Sequence, residues 1–364
     1  MSFMKPDFDH RLRVAVTLVC GFATAFACCG ALWSAEVEFV VGGLMTGEGG
    51  SWDSSSGPLK SPFGVDFTSS GDMWIVELDG GRVFRMAPGG IPVLAGGDGS
   101  KSYRGDGGPL QDATFNGMHN CAVTFNDDLL IADSWNHCVR KVVPATGVIS
   151  TIAGTGQKGF AGDGGAAKKA SFDFVMCITL NPSQEVLHIA DLNNRRIRAV
   201  NLKSGVVTTI AGNGMKGVPT DGAVAVDSPL VDPRAVAEDS VGNVYILERG
   251  GNCLRVVRPN GTIETVAGSG QRGAQDGAAL QATFGSPKHL CIDHDDSVLI
   301  ADDQNGAIRR YDPKSGMVST VLGAGHGDPR IRLKNPHGVC IEKDWLYVID
   351  MGNNRILRML APSR

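Results

Sequence analysis

Short apolar runs rich in Val, Ile and Leu recur along the chain from residue 37 onward, each broken by Gly, Asn, Asp, Ser or Pro. Runs this short between turn formers predict strands, and no stretch sustains a helical period. In one unit the runs cover 121–125, 129–133, 138–143 and 148–153, four strands in succession. Thr146-Gly147 joins the last two, and Gly89-Gly90, Ser204-Gly205, Asn260-Gly261 and Ser315-Gly316 stand at the same place in other units. A glycine in such a connection supplies the positive φ of a tight hairpin.

Two motifs keep the same step. VLAG, TIAG, TIAG, TVAG and TVLG end at Gly96, Gly154, Gly212, Gly268 and Gly323, spaced 58, 58, 56 and 55 residues apart. An apolar pair followed by an acid ends at Glu77, Asp133, Asp191, Glu248, Asp302 and Asp350, spaced 56, 58, 57, 54 and 48. A shared period of this size, with four strands per unit and six units, predicts an all-β, six-bladed β-propeller with four-stranded blades. The sixth unit, from His337 to Leu360, holds only three strands, while VEFVVGG at 37–43 reads as an orphan fourth strand. Pairing the two would close the ring and remove two exposed sheet edges.

The propeller is therefore expected to occupy residues 36–364 as one domain. Upstream, Lys5, Arg11 and Arg13 precede an uncharged run from Val14 to Trp33. That order fits an export signal cleaved near Ala35, in a periplasmic or extracellular protein; a membrane anchor retained over 14–33 is the alternative. The full chain has a formal charge of −4, and losing residues 1–35 removes three positive and two negative charges. The acidic remainder argues against nucleic acid as a partner, because phosphate contacts need a basic surface. A membrane enters only if the leader stays.

Six cysteines lie outside the leader: Cys121, Cys138, Cys177, Cys253, Cys291 and Cys340. They fall at repeat-equivalent positions in separate blades, Cys121 with Cys177 and Cys291 with Cys340, so buried free thiols are expected rather than disulfides. The chain carries 49 glycines. Several make GxGxxG patterns, as at Gly154, Gly156 and Gly159, but no helix follows and the pattern repeats with the blades. They read as connectors, not phosphate loops.

The pattern Asp-x-x-Asn-x-x-[Val/Ile]-Arg followed by TIAG resembles the NHL repeat. Asp133-Asn136-Val139-Arg140, Asp191-Asn194-Ile197-Arg198 and Asp302-Asn305-Ile308-Arg309 carry it. The first and fourth units depart, with Glu77 and Glu248 for Asp and Gly80 and Gly251 for Asn, and the sixth has Leu357 for Arg. The connector at 153–167 is similar to that of bacterial exported NHL proteins. The resemblance covers about residues 37–360 and implies a propeller of NHL repeats.

Candidate chemistry is then weighed against the repeat. The acidic set Glu77, Asp133, Asp191, Glu248, Asp302 and Asp350 reads as structural, each acid binding turn backbone. Asp106, Asp163, Asp221 and Asp276 precede Gly in the connectors; Asx turns are expected, with Ca²⁺ as the other use. The start of each first strand is the most informative place. Aligned on the proline that often precedes it, the next residue is Phe63, His119, Val175, Arg234, Lys288 and His337. The one after is Gly64, Asn120, Met176, Ala235, His289 and Gly338. These should surround a channel mouth, so His119, Asn120, Arg234, Lys288, His289 and His337 are the candidate ligand-binding residues. His119, His289 and His337 are the candidate zinc ligands, an idea supported by the amidating lyases, which resemble NHL propellers and use His-ligated zinc. No GxSxG or HExxH pattern occurs. The reading is an exported, monomeric binding scaffold without catalysis or cofactor. It takes a protein, glycan or small polar ligand on its loop face and at the channel mouth. The alternative is a metal-dependent lyase or lactonase.

Overall fold

The computed structural model describes residues 36–42 and 59–363; the leader at 1–35 lies outside the described residues. Six antiparallel sheets form the fold, five of them built from strands consecutive in sequence. Their first strands are Pro62–Phe67, Met118–Val123, Val175–Leu180, Pro233–Glu238, His289–Ile292 and Pro336–Glu342. Each contacts the next, and the sixth contacts the first, so they ring a central channel. In the second blade the other three strands are Leu129–Asp133, Cys138–Val143 and Val148–Ala153, at the bounds expected from the apolar runs. Its first strand begins earlier than expected, at Met118, because a bulge at His119 carries the pairing back to Asp133. The only helical pieces among the described residues are three-residue 3-10 turns.

The ring closes as the orphan strand suggested. Glu38–Val41 pairs antiparallel with Arg355–Leu360, outermost in the sixth blade. The fourth and fifth blades gain a fifth, two-residue strand, Ala223–Val224 and Gly277–Ala278, contributed by the connectors that precede them. Core side chains lie in the sheets and between neighbouring blades, where Phe115, Phe172 and Phe284 are fully buried at equivalent positions.

Acids of the repeat set bind backbone beyond their own turn. Asp133 Oδ1 accepts the Asn116 N–H at 2.8 Å, and Asp191 Oδ1 accepts that of Asp173 at 2.8 Å. Gly285 N–H reaches Asp302 at 2.7 Å and Lys334 N–H reaches Asp350 at 2.7 Å. The second strand thereby holds the segment entering the first. On the other oxygen, Asn136 Nδ2 donates to Asp133 at 2.9 Å and Asn305 Nδ2 to Asp302 at 2.7 Å.

The repeat arginines complete the lock. Arg198 is fully buried, donates to Asp191 at 3.3 Å, and places its Nε and Nη2 on Asp163 Oδ1 at 3.1 and 2.8 Å. Its guanidinium lies between the rings of Phe160 and Phe172, at 4.9 and 5.1 Å. Arg140 pairs likewise with Asp106 and Arg309 with Asp276, at 2.7 and 2.6 Å. Asp106, Asp163 and Asp276 thus serve as counter-ions that fasten connector to blade, in place of the expected Asx turns. Asp221 does this through Thr265, whose N–H it accepts at 2.8 Å.

The divergent units have a steric explanation. Glu77 and Glu248 are one methylene longer than Asp, and their carboxylates occupy the space that Asn fills elsewhere. A Cβ at Gly80 would lie 1.8 Å from Glu77 Oε2, and one at Gly251 2.9 Å from Glu248 Oε2. Glu therefore goes with Gly, and Asp with Asn. In the sixth unit Arg355, two residues before Leu357, supplies the missing cation to Asp350 at 2.7 Å.

Candidate functional site

Five of the six first strands start with a register shift, at Phe63, His119, Met176, Arg234 and His337. Lys288 holds the matching place in the fifth blade, one residue before His289 pairs with Ala301. A bulged residue leaves the ladder and turns inward, and together these six form a collar at one end of the channel. The third blade corrects the sequence alignment. Lacking the proline, it places Val175 opposite Asp191, so Met176 is the collar residue and Cys177 the one after it. Cys177 therefore shares its position with Asn120 and His289, not with Cys121.

Inside the collar, Phe63 lies between His119 and His337, with ring centroids 4.9 and 4.3 Å away. His119 Nδ1 bonds the Gly117 carbonyl at 2.8 Å and His337 Nδ1 that of Asn335 at 3.1 Å. Burial pushes both imidazoles down to about 3, with Arg234 adding to the effect, so both are neutral. The cations are Arg234, Lys288 and Arg249. Arg249 pairs with Asp232 at 2.7 Å, and Lys288 Nζ lies 3.8 Å from Asp303 Oδ2. Burial lowers Arg234 to about 9 and Lys288 to about 8. Asp232, Arg249 and Asp303 escaped the sequence reading; the signal for two of them is a second charged residue directly after the repeat acid, as in Glu248-Arg249 and Asp302-Asp303.

Next along the channel, Asn120 and His289 meet. They come from opposite blades, and Asn120 Nδ2 lies 3.1 Å from His289 Nε2. Asn120 Oδ1 accepts the Ile178 N–H at 3.0 Å, which fixes the amide orientation. Cys177 Sγ sits 3.8 Å from the same His289 nitrogen. This bar crosses the channel and separates its two ends. Burial holds the Cys177 thiol up near 12 and His289 down near 4, so the pair is a neutral thiol and a neutral imidazole, not an activated nucleophile.

Beyond the bar the channel widens into a funnel of about 610 Å³, reached by the far ends of all six first strands. Its polar lining includes Asp66, Thr179, Asn181 and Glu238, and its apolar lining Phe67, Leu180, Ile292 and Ile341. Asp66 accepts the Val123 N–H at 2.6 Å, and burial raises its carboxyl to about 7. Glu238 receives His188 Nε2 at 2.6 Å. The six described cysteines are free; Cys291 and Cys340 are half-buried and face this funnel rather than a dry core.

The six candidate residues thus divide. His119, Arg234, Lys288 and His337 stand in the collar, and Asn120 and His289 form the bar, reaching the funnel from its floor. Among the described residues no group of three or more His, Cys, Asp or Glu side chains is arranged to hold a metal ion.

No family model matches the chain. NHL repeat-containing protein 2 of Gallus gallus is 25% identical over 341 residues, covering 82% of this chain and 46% of that protein. The chain therefore spans about half the length of that relative. Among solved structures, an auxiliary nutrient binding protein from Bacteroides ovatus superposes with a TM-score of 0.63 at 14% identity, covering 89% of this chain and 76% of that one. Virginiamycin B lyase from Staphylococcus aureus gives 0.56 at 13% identity, covering 90% and 99%. At such identities these structures share the fold alone. The repeats and the closed ring make the chain a six-bladed β-propeller, and curated relatives that it matches are NHL repeat-containing proteins.

Proposed function

We propose that this NHL-repeat propeller is an exported binding module without chemistry of its own, taking a small polar ligand in the channel funnel. The observation that carries this is the funnel itself, a cavity of about 610 Å³ at which all six blades converge, with half-buried carboxylates set among apolar walls. Such a concave site with few polar groups suits orientation of a ligand. Asp66 and Glu238 would accept hydroxyl or amino donors, while Phe67 and Ile341 would cover an apolar face. The binding role named for the Bacteroides ovatus neighbour lends support by analogy of fold. The export reading rests on the Val14–Trp33 run, and a mature chain beginning near Glu36 by N-terminal sequencing would support it.

The test is retention. Small molecules released on denaturing the purified protein are identified by mass spectrometry, in the wild type and in Ile341→Trp, which fills the funnel. A compound held by the wild type and lost by the variant is expected. If no released or added small molecule raises the melting temperature of the wild type, the reading fails.

One observation favours a second reading, a metal-dependent lyase or lactonase. His119 and His337 are neutral, each with Nδ1 on a backbone carbonyl, which leaves Nε2 free as in many metal sites. Phe63 between the rings and the bond of His289 to Asn120 weigh against convergence on one ion. Metal analysis decides: one zinc per chain, lost in a His119→Ala/His337→Ala double variant, would replace the binding reading.

A further inference from the structure

The collar contains two buried polar atoms without partners, one a donor and one an acceptor. Arg234 is only 5% exposed, yet no hydrogen bond to its guanidinium is formed among the described residues, and its Nε is fully enclosed. Asp303 Oδ1 is enclosed and forms no hydrogen bond of good geometry; the Asn335 side chain stabilises the carboxylate, and His337 Nδ1, 3.4 Å away, gives its proton to the Asn335 carbonyl instead. The two groups act on each other electrostatically without touching. Buried polar groups are almost always hydrogen-bonded, so each orphan calls for an explanation. Two opposite orphans in one collar have a common one.

The charges narrow it. Arg249 has Asp232 as its partner and Lys288 has Asp303, whereas Arg234 has no carboxylate in contact. The collar thus lacks one negative charge, and a buried cation without a partner is unfavourable. Two carboxylates already stand nearby, which disfavours a dianion such as phosphate. The guanidinium fork matches the two oxygens of a carboxylate. Asp303 Oδ1 calls for an N–H or O–H donor on the same molecule. Arg249 beside it is partly exposed to solvent.

We propose that the collar binds a small α-hydroxy or α-amino carboxylate, its carboxylate on Arg234 and its hydroxyl or amino group donating to Asp303 Oδ1. The inference deepens the binding reading but concerns the opposite end of the channel, beyond the Asn120–His289 bar.

Isothermal titration of the full-length protein at low ionic strength tests it, with lactate and alanine as probes. Propionate, which lacks the donor, is the comparator, and inorganic phosphate and chloride are the controls. One site is expected, with lactate or alanine bound at least about tenfold more tightly than propionate, and phosphate no better than propionate. Arg234→Met should lose this binding by at least about tenfold, while the unliganded variant melts no lower than the wild type because an unpaired cation has gone. Arg234→Lys should bind at an intermediate level, which serves if the Met variant folds poorly. Asp303→Ala should abolish the preference for lactate over propionate. Equal affinity for lactate and propionate, or unchanged binding in Arg234→Met, overturns the proposal. A ligand lost in Ile341→Trp but kept in Arg234→Met would sink this inference and leave the funnel reading standing.

Discussion

Replacing Gly80 by Ala tests the account of why Glu accompanies Gly in the first and fourth units. Gly80 does not need a positive φ, so alanine is free to adopt its backbone. On that ground alone Ala would stabilise by about 0.4–1 kcal/mol, through the unfolded chain. The new Cβ, however, would stand 1.8 Å from Glu77 Oε2 and 2.7 Å from Glu77 Cδ. Glu77 is wholly buried and receives Arg82 Nε at 2.7 Å and Nη2 at 2.8 Å. The carboxylate cannot move aside without leaving its cation. Overpacking alone costs about 1–3 kcal/mol, and breaking a buried pair about 3–5 kcal/mol. Partial relaxation puts the net loss at about 2–4 kcal/mol, so the clash wins over the backbone gain. Urea denaturation followed by far-ultraviolet circular dichroism measures it. The decisive variant is Glu77→Asp/Gly80→Asn, which installs the Asp-x-x-Asn pair of the second and third units. It should recover most of the loss seen in Gly80→Asn alone, with a coupling of about 1–3 kcal/mol. A stable Gly80→Ala, or a double variant no better than the sum of its parts, refutes the reasoning.

Arg198→Lys should destabilise by about 2–4 kcal/mol, because lysine cannot satisfy Asp191, Asp163 and the two-ring sandwich at once; limited proteolysis should show earlier cleavage in the 154–174 connector. Burial raises the Asp66 carboxyl from its ordinary value of 3.8 to about 7, so the folded state favours the protonated acid. The stability that follows is present at acid pH and lost as pH rises from about 4 through about 7. Asp66→Asn should therefore gain in melting temperature against the wild type at pH 8 and gain least near pH 4. The neutral buried imidazoles of His119, His289 and His337 act in the opposite sense, losing stability as pH falls below about 6.5; the wild-type-minus-variant difference cancels their part. Removing residues 36–41 should lower the melting temperature and raise the share of oligomers in size-exclusion chromatography, since the Arg355–Leu360 edge is then uncovered.

The fold was legible because a propeller writes its period into the chain. Strands, hairpins and the missing fourth strand of the sixth blade all follow from local rules repeated at one spacing. The acidic set was recognisable as structural for the same reason. Its arginine and aspartate partners were half visible: Arg140 and Asp106 each recur with the repeat, but nothing local says that they touch. The site was less legible. At Val175 no proline marks the bulge, so the alignment slipped by one residue and paired Cys177 with Cys121. The bar joins Asn120 to a residue 169 positions away, a contact no local pattern encodes. The funnel depends on how the six first strands splay at their far ends, which periodicity does not describe. Asp66, Glu238 and Glu342 at those ends were the available signal, acids on strands otherwise apolar.

The seam in the sixth blade governs when the molecule can come into being. Glu38 accepts Arg358 Nε at 2.7 Å across 320 positions, so the last sheet is complete only when Glu38–Val41 and Arg355–Leu360 are both present. Each of the first five blades has all its principal strands close together in sequence; the sixth waits. Such distant pairing slows the final step, and until Arg355–Leu360 meets Glu38–Val41 the ring is unlatched with two bare edges. Five blades can therefore form while the ring stays open, and the closing strand alone decides when it locks.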